Sequence, residues 1–590
     1  MTVYKAPEKE FSFILQELVN YKEHCRMPGF EAAPPEMVDT IIPEAARFFE
    51  EVVAPTNQES DVQGSILEEE GVRTPAILDG VYSQLMEAGW GSLNGDPNYG
   101  GAGFPGVIDL IAQEMLQSAN LSFSLLPLLS RGVVHALSLY GSEDQKKTYL
   151  EKLITGTWSG TMNLTEPQAG SDLAAVQTKA VPEGDHYLLS GQKIYITWGD
   201  HSYTENIVHL VLARTPNAPE GVKGISLFIV PKYLMNEDGS LGERNDVKAV
   251  SLEHKMGIHA SPTCVMVYGD QGGAVGYLVG EENHGLVYMF AMMNAARLAV
   301  GHQGVAVSER AYQQAVDYAK QRVQGQVSGI EGRAPIIYHP DVKRMLMQMR
   351  ALTEAGRALS FKAIAEDDRS YHHPDNKQGA ISAMAVEVLT PLVKGWCTEI
   401  GMEVTSLGIQ VHGGMGFVEE TGAAQHMRDA RILPIYEGTN GIQALDFVGR
   451  KTLRDGGQAV KALVAEMKTI ADSIEDERLS LIKNSLTQAI DQCEQGLAYI
   501  LENPSEAEAA AFNYLMLFGN SACGSLLAQS AVSAQRIIDE GSDDRFYVQK
   551  IATATFFATQ ILPRNEAYLA ALKDGSGQIS SLGEEDFNRE

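Results

Sequence analysis

His186-Tyr187-Leu188-Leu189-Ser190-Gly191-Gln192-Lys193-Ile194-Tyr195-Ile196-Thr197 is a run of aromatic and β-branched residues with no helical period. Three similar runs surround it: NIVHLVLART from Asn206, GISLFIVPK from Gly224 and TCVMVYGD from Thr263. Short apolar runs separated by turn residues predict strands. Together they predict an antiparallel β domain that begins near Trp158 and ends near Gly280. No βαβ alternation and no GxGxxG follows a strand, which excludes a Rossmann nucleotide site.

Outward from this block the period changes to that of helices. Upstream, Phe11, Ile14, Leu15 and Leu18 recur at helical spacing, as do Ile41, Ala45, Phe48 and Phe49. A Gly- and Pro-rich loop, Asp96 to Pro105, interrupts them. Downstream, long helical patterns run from Gly285 to Arg450. Further amphipathic stretches, such as AVKALVAEMKTIADSI, fill the part after Thr452, and the tail from Gly575 is polar and reads as loose. The expected fold class is therefore α+β, in four domains: an N-terminal helical domain with an extension (1–158), a middle antiparallel β domain (159–281), a C-terminal helical bundle (282–451) and an additional helical domain (452–590).

Composition narrows the function. The 590 residues carry a formal net charge of −30, with 21% charged and 44% hydrophobic residues. Such an acidic surface disfavours nucleic acid and anionic membranes as partners. The five cysteines are scattered without a CxxC pair, which suits a reducing compartment. The first residues lack a signal-peptide pattern, and the most apolar stretch, Tyr514 to Ala534, is broken by Asn520, Gln529 and several serines. A cytoplasmic protein with no membrane span and no metal site is expected.

Four clusters carry candidate chemistry. Gly160 to Asp172 (GTMNLTEPQAGSD) runs from a strand into a turn that can aim N–H groups and hydroxyls at ligand oxygens. Alone, it reads equally as an ordinary loop. In Lys193 to Gly199, Tyr195 and Thr197 lie two apart, so a regular strand places both on one side. An aromatic ring beside a hydroxyl suits a flat heterocycle, although a core tyrosine is the commoner outcome. Gln410 to Gly416 (QVHGGMG) lets backbone approach a bulky ligand, or simply ends a helix. Arg431 to Gln443 (RILPIYEGTNGIQ) sets Glu437 in an apolar segment, where burial raises a carboxyl towards general-base range.

In this order, TEPQAGSD, KIYIT, HGGMGF and MRDARILPIYEGTNGIQ resemble the acyl-CoA dehydrogenase family over about Ile41 to Arg450. The resemblance implies FAD as cofactor and α,β-dehydrogenation of an acyl-CoA thioester, with Glu437 as catalytic base. It implies flavin contacts from Leu164, Thr165, Ser171, Tyr195, Thr197, Arg322, Gln410, Gly413, Gly414 and Thr439. Substrate contacts are implied for Ser171, Asn294, Arg297, Tyr436 and Gly438. The position where some members carry the base is Ala296 here, which leaves that role to Glu437. Departures include Pro340 for a family glutamine, Asn294 for a common aspartate and His259 for a common arginine.

The residues after Arg450 resemble an extended bacterial subgroup that includes 3-methylmercaptopropionyl-CoA and long-chain acyl-CoA dehydrogenases. That resemblance implies a role in fatty-acid β-oxidation or related lipid metabolism, a homodimer, and an electron-transfer flavoprotein as acceptor. An acyl-CoA oxidase is the alternative within the class. A non-catalytic, DNA-associated flavoprotein is the alternative outside it, disfavoured by the acidic stretches beyond Arg450.

Overall fold

The computed structural model describes residues 4–589. They form two compact units, Glu44–Ala296 and a discontinuous one made of Met1–Pro43 with Arg297–Glu590.

The longest helices of the first unit ahead of its eight-stranded sheet are α1 (Gly106–Ala119), α2 (Leu121–Tyr140) and α3 (Glu143–Ile154). Asn120 caps α2 by accepting from Phe123 N, and Ser142 with Gln145 forms a reciprocal capping box on α3. The sheet has eight strands: β1 (Trp158–Asn163), β2 (Lys179–Glu183), β3 (His186–Thr197), β4 (Asn206–Ala213), β5 (Ser226–Pro231), β6 (Val247–Leu252), β7 (Thr263–Tyr268) and β8 (Ala274–Leu278). Their order is β6-β7-β3-β8-β5-β4-β1, with β2 also paired to β3.

Every residue of β1, β4 and β5 is buried, which explains why β4 and β5 read as largely apolar runs rather than alternations. Pairing is antiparallel except between β1 and β4, which run parallel. The expectation of a purely antiparallel domain is corrected there. The chain leaves β1 through the TEPQAGSD turn and passes through β2 and β3 before returning beside β1, so it re-enters in the same direction. Helix α2 lies close on β1: a methyl at Gly160 would sit 2.6 Å from Val133, and Gly160 N donates to Ser130 Oγ.

The second unit is helical. Its long members are α4 (Gly285–Gln321, in this unit from Arg297), α5 (Pro340–His372) and α6 (Asn376–His412). Pro340 opens α5 at a position where a missing N–H costs nothing. The short α7 (Asn440–Leu445) follows the fourth sequence cluster. Beyond it come α8 (Gln458–Asp472), α9 (Ser480–Glu502), α10 (Ala507–Asp539) and α11 (Arg545–Phe556). These later helices share one core with α5 and α6: Leu352, Trp396, Leu486, Leu515, Phe518 and Phe557 are all fully buried in it. Gly519 admits the Trp396 ring, and Trp396 Nε1 donates to Asn520 Oδ1 at 2.8 Å. The tail expected to be loose carries a short helix, Ser576–Ser581, with Ser576 buried.

Residues 4–30 pack on the same unit. Glu10 and Glu354 both accept from the buried Lys550, at 2.6 and 2.8 Å. Three helical segments among the described residues are long and apolar enough to cross a membrane: Leu121–Tyr140, Asn376–Phe417 and Pro504–Asp539. Between 61% and 89% of their most apolar windows is buried within the protein.

Candidate active site

The segment from Arg431 to Gln443 folds as a tight turn entering α7. Leu433 is fully buried and anchors one side. Asn440 N donates to Pro434 O at 2.9 Å, closing the turn, and Thr439 Oγ1 caps α7 by accepting from Ile442 N. Between these points the chain takes left-handed backbone twice, at Glu437 (φ 54°) and Gly438 (φ 85°). Glycine adopts this freely; for a glutamate it costs about 1–2 kcal/mol. Strain kept at a carboxylate marks a site whose surroundings hold it there.

Those surroundings are specific. Among the described residues the Glu437 carboxylate accepts no hydrogen bond, although the residue is half-buried. Burial raises its pKa above the ordinary carboxylate value, opposed by the positive charges of Arg297 and Lys394. A proton-accepting group with no internal partner and raised affinity suits general-base work. Arg297, on α4, is buried, and its guanidinium lies 3.8 Å from where a Gly438 Cβ would be. The neighbouring Tyr436 hydroxyl donates to Gln303 Oε1 on the same helix. Tyr436, Glu437, Gly438 and Arg297 are thus brought together. Asn294, one turn before Arg297, is exposed.

At the end of α6, Gly413 caps the helix with φ 60°. Gly413 and Gly414 face open space, and Gln410 and Phe417 are exposed nearby in sequence. Arg322, just past α4, is exposed, and its carbonyl accepts from Ile336 N across the loop that precedes α5.

In the other unit the first cluster is organised by Glu166. Its carboxylate accepts from Lys193 Nζ (2.8 Å), Thr178 Oγ1 and N, Gln177 N and Gln168 Nε2. Lys193 Nζ also donates to Leu164 O at 3.0 Å, so one buried ion pair fixes the chain on either side of Thr165. Burial pushes Glu166 up, but Lys193 and the other donors outweigh it and hold the carboxyl at about 2; burial pulls Lys193 down to about 8. Leu164 and Thr165 stay half-buried and Ser171 exposed.

Tyr195 departs from the expected strand geometry. A bulge opposite Val265 gives it φ 60°, and the residue is 60% exposed, whereas Lys193 and Ile196 on either side of the bulge are buried. The bulge, rather than simple alternation, turns the ring outward, with half-buried Thr197 two residues on.

These groups fit FAD. Within the unit that holds the sheet, the exposed Tyr195 and hydroxyls at Thr165, Ser171 and Thr197 suit a flat heterocycle; within the helical unit, by itself, two glycines with open approaches and the exposed Arg322 guanidinium suit a pyrophosphate. Two functional elements escaped the reading of the sequence. The Glu166–Lys193 pair was hidden inside motifs quoted for other residues. Lys394, wholly buried on α6 beside the turn, had one signal: a lone lysine in the apolar run LTPLVKGW.

Comparison with known proteins places the chain. Family models for the acyl-CoA dehydrogenase N-terminal, middle and C-terminal domains match residues 36–157, 161–270 and 283–452, and an acetyl-CoA dehydrogenase C-terminal-like model matches 463–582. The chain belongs to the acyl-CoA dehydrogenase family, and it is an FAD-dependent enzyme that dehydrogenates acyl-CoA. It is 48% identical to the 3-methylmercaptopropionyl-CoA dehydrogenase of Ruegeria pomeroyi, over 97% of this chain and 98% of that one. The acyl-CoA dehydrogenase complexed with FAD from Bacillus anthracis has the same fold, with a TM-score of 0.74 and 23% identity over 94% and 90% of the two chains. A chain from the structural work on the electron transferring flavoprotein of Acidaminococcus fermentans aligns at 28% identity and a TM-score of 0.58, over 71% of this chain and 98% of that one.

Proposed function

We propose that this enzyme oxidises 3-methylmercaptopropionyl-CoA to the corresponding α,β-unsaturated thioester, with Glu437 as the base. The mechanistic part rests on one observation: a half-buried carboxylate without an internal hydrogen bond, on left-handed backbone, facing two cations. The substrate rests on 48% identity spanning nearly both chains.

The α-proton of a thioester is too weakly acidic for an exposed carboxylate. Enclosure raises the proton affinity of Glu437, and Gly438 lets the thioester lie against the backbone. Donors to the thioester carbonyl, the Glu437 N–H among them, stabilise the charge that develops as the proton leaves. Arg297 balances the carboxylate while it is ionised. FAD, when bound, supplies the two-electron acceptor for the hydride leaving Cβ. Leu164, Thr165, Ser171, Tyr195, Thr197, Arg322, Gln410, Gly413, Gly414 and Thr439 would hold it. Ser171, Asn294, Arg297, Tyr436 and Gly438 would serve the substrate. Thr439 would contact FAD by donating its own O–H, since its oxygen already accepts from Ile442 N to cap α7.

An electron-transfer flavoprotein is the proposed acceptor, supported by the similarity to the Acidaminococcus chain. A cytoplasmic homodimer completes the reading. The test is anaerobic titration with 3-methylmercaptopropionyl-CoA, butanoyl-CoA and longer straight-chain thioesters, following flavin absorbance. The sulfur-containing thioester is expected to reduce the flavin with the highest specificity constant, and Glu437→Gln to abolish reduction. Preference for a straight-chain substrate would overturn the substrate, and full reduction by Glu437→Gln would overturn the base.

A further inference from the structure

Lys394 lies in the middle of α6 with no exposed surface. Among the described residues its ammonium makes one hydrogen bond, 2.9 Å to Asn440 Oδ1. An ammonium has three donors, so two remain without protein partners at a buried position, an expensive arrangement unless charge nearby offsets it. Asn440 is the first residue of α7. Its amide nitrogen reaches Gly395 O (3.2 Å), Thr398 Oγ1 (2.9 Å) and Glu399 Oε1 (2.8 Å), and its backbone N–H closes the turn on Pro434 O. One side chain therefore ties the Glu437 turn to one face of α6, and Lys394 is the cation on that face.

We propose that Lys394 is a positioning residue for the proton transfer: it holds Asn440, and with it the strained turn, and its positive charge keeps the unbonded Glu437 carboxylate ionised and ready to accept a proton. This rests on the assignment of Glu437 as base. The charged groups around the pair are Arg297 from α4, Glu399 from α6, and Asp446 with Arg450 just beyond α7. Lys394 and Arg297 both draw the Glu437 carboxyl down against burial. Burial in turn pulls Lys394 down to about 7, opposed by Glu437 and assisted by Arg297. The two groups thus depend on each other: each is charged at lower cost while the other is.

The test compares wild type with Lys394→Gln and Lys394→Met as FAD-loaded enzymes. The glutamine amide can still donate to Asn440 Oδ1; the methionine cannot; neither carries charge. Losing a nearby positive charge raises a carboxyl by about one unit or more. The acid limb of kcat/KM is expected to move up by about one pH unit in both variants. An independent readout is the infrared band of the protonated Glu437 carboxyl, assigned by its loss in Glu437→Gln, which is expected to persist to correspondingly higher pH. If Lys394→Met does not fold, Lys394→Gln carries the test. An unshifted limb and an unshifted band in Lys394→Gln would overturn the role of its charge. Turnover retained by Glu437→Gln would instead overturn the base, and the infrared titration would still report on the Lys394–Glu437 coupling by itself.

Discussion

Replacing Glu166 by glutamine removes a charge and almost no volume. In the native protein its carboxyl falls from 4.5 to about 2, a gain of about 3 kcal/mol at 1.36 kcal/mol per unit. Lys193 falls from 10.5 to about 8, a cost of similar size. The intact pair thus contributes little net stability, as buried ion pairs commonly do. The Glu166 share is present above pH 4.5 and lost as pH falls through about 2. The Lys193 penalty is present below about pH 8 and fades as pH rises to 10.5. Glu166→Gln discards the gain and, by removing the charge that opposes burial at Lys193, leaves a penalty at least as large while Lys193 is protonated. It is expected to lose about 3 kcal/mol at pH 7, a fall of roughly 2–4 °C per kcal/mol in the melting of this unit. Flavin retention should fall with it, because Lys193 Nζ also holds Leu164 O. Calorimetry with flavin absorbance measures both. The loss should shrink above pH 8, and Lys193→Met in the same chain should restore most of it. Wild-type melting of Glu166→Gln, or a double variant no better than the single, would refute the argument.

Glu437→Gln is expected to bind FAD normally and to lose about 10²–10⁴-fold in the rate of flavin reduction, measured by stopped flow. Because the Glu437 carboxyl is raised and must be ionised to act, kcat/KM should fall with acidity at a pH above 4.5; a pH profile flat down to 4.5 would contradict this. Gly438→Ala forces a side chain onto φ 85° and within 2.8 Å of Gln443 Nε2, so it should lower kcat/KM while leaving the flavin spectrum intact. Gly414→Ala meets nothing within the chain, so it should melt as wild type in the apo form yet hold FAD less tightly, read from the cofactor ratio after gel filtration.

The β unit was legible because strands buried on both faces leave continuous apolar runs, as in Asn206–Ala213. The parallel pairing of β1 with β4 was not, since residue type records burial and says little about which strand lies alongside. The Tyr195 bulge was equally silent, being set by one extra residue against Val265. The Glu437 cluster stood out by its glycine and apolar surroundings. Lys394 did not, because a lone lysine in a helix ordinarily reaches solvent along its stem. Its role is apparent only once Asn440, 46 residues later, is placed beside it. The packing of residues 4–30 was beyond reach for the same reason: the partner of Glu10 lies at Lys550.

That last arrangement orders events during synthesis. The segment around Glu10 leaves the ribosome long before the lysine that neutralises it, which is made 540 residues later. At about 5–20 residues per second the wait is roughly half a minute to two minutes. Meanwhile the inserted unit, Glu44–Ala296, has all its own residues and can fold. The side chains of Phe11, Phe13 and Ile14, buried in the folded protein, meanwhile lack the later helices that cover them. A protein truncated before α11 would release that segment unsatisfied, so incomplete chains carry a ready signal for disposal at their other end.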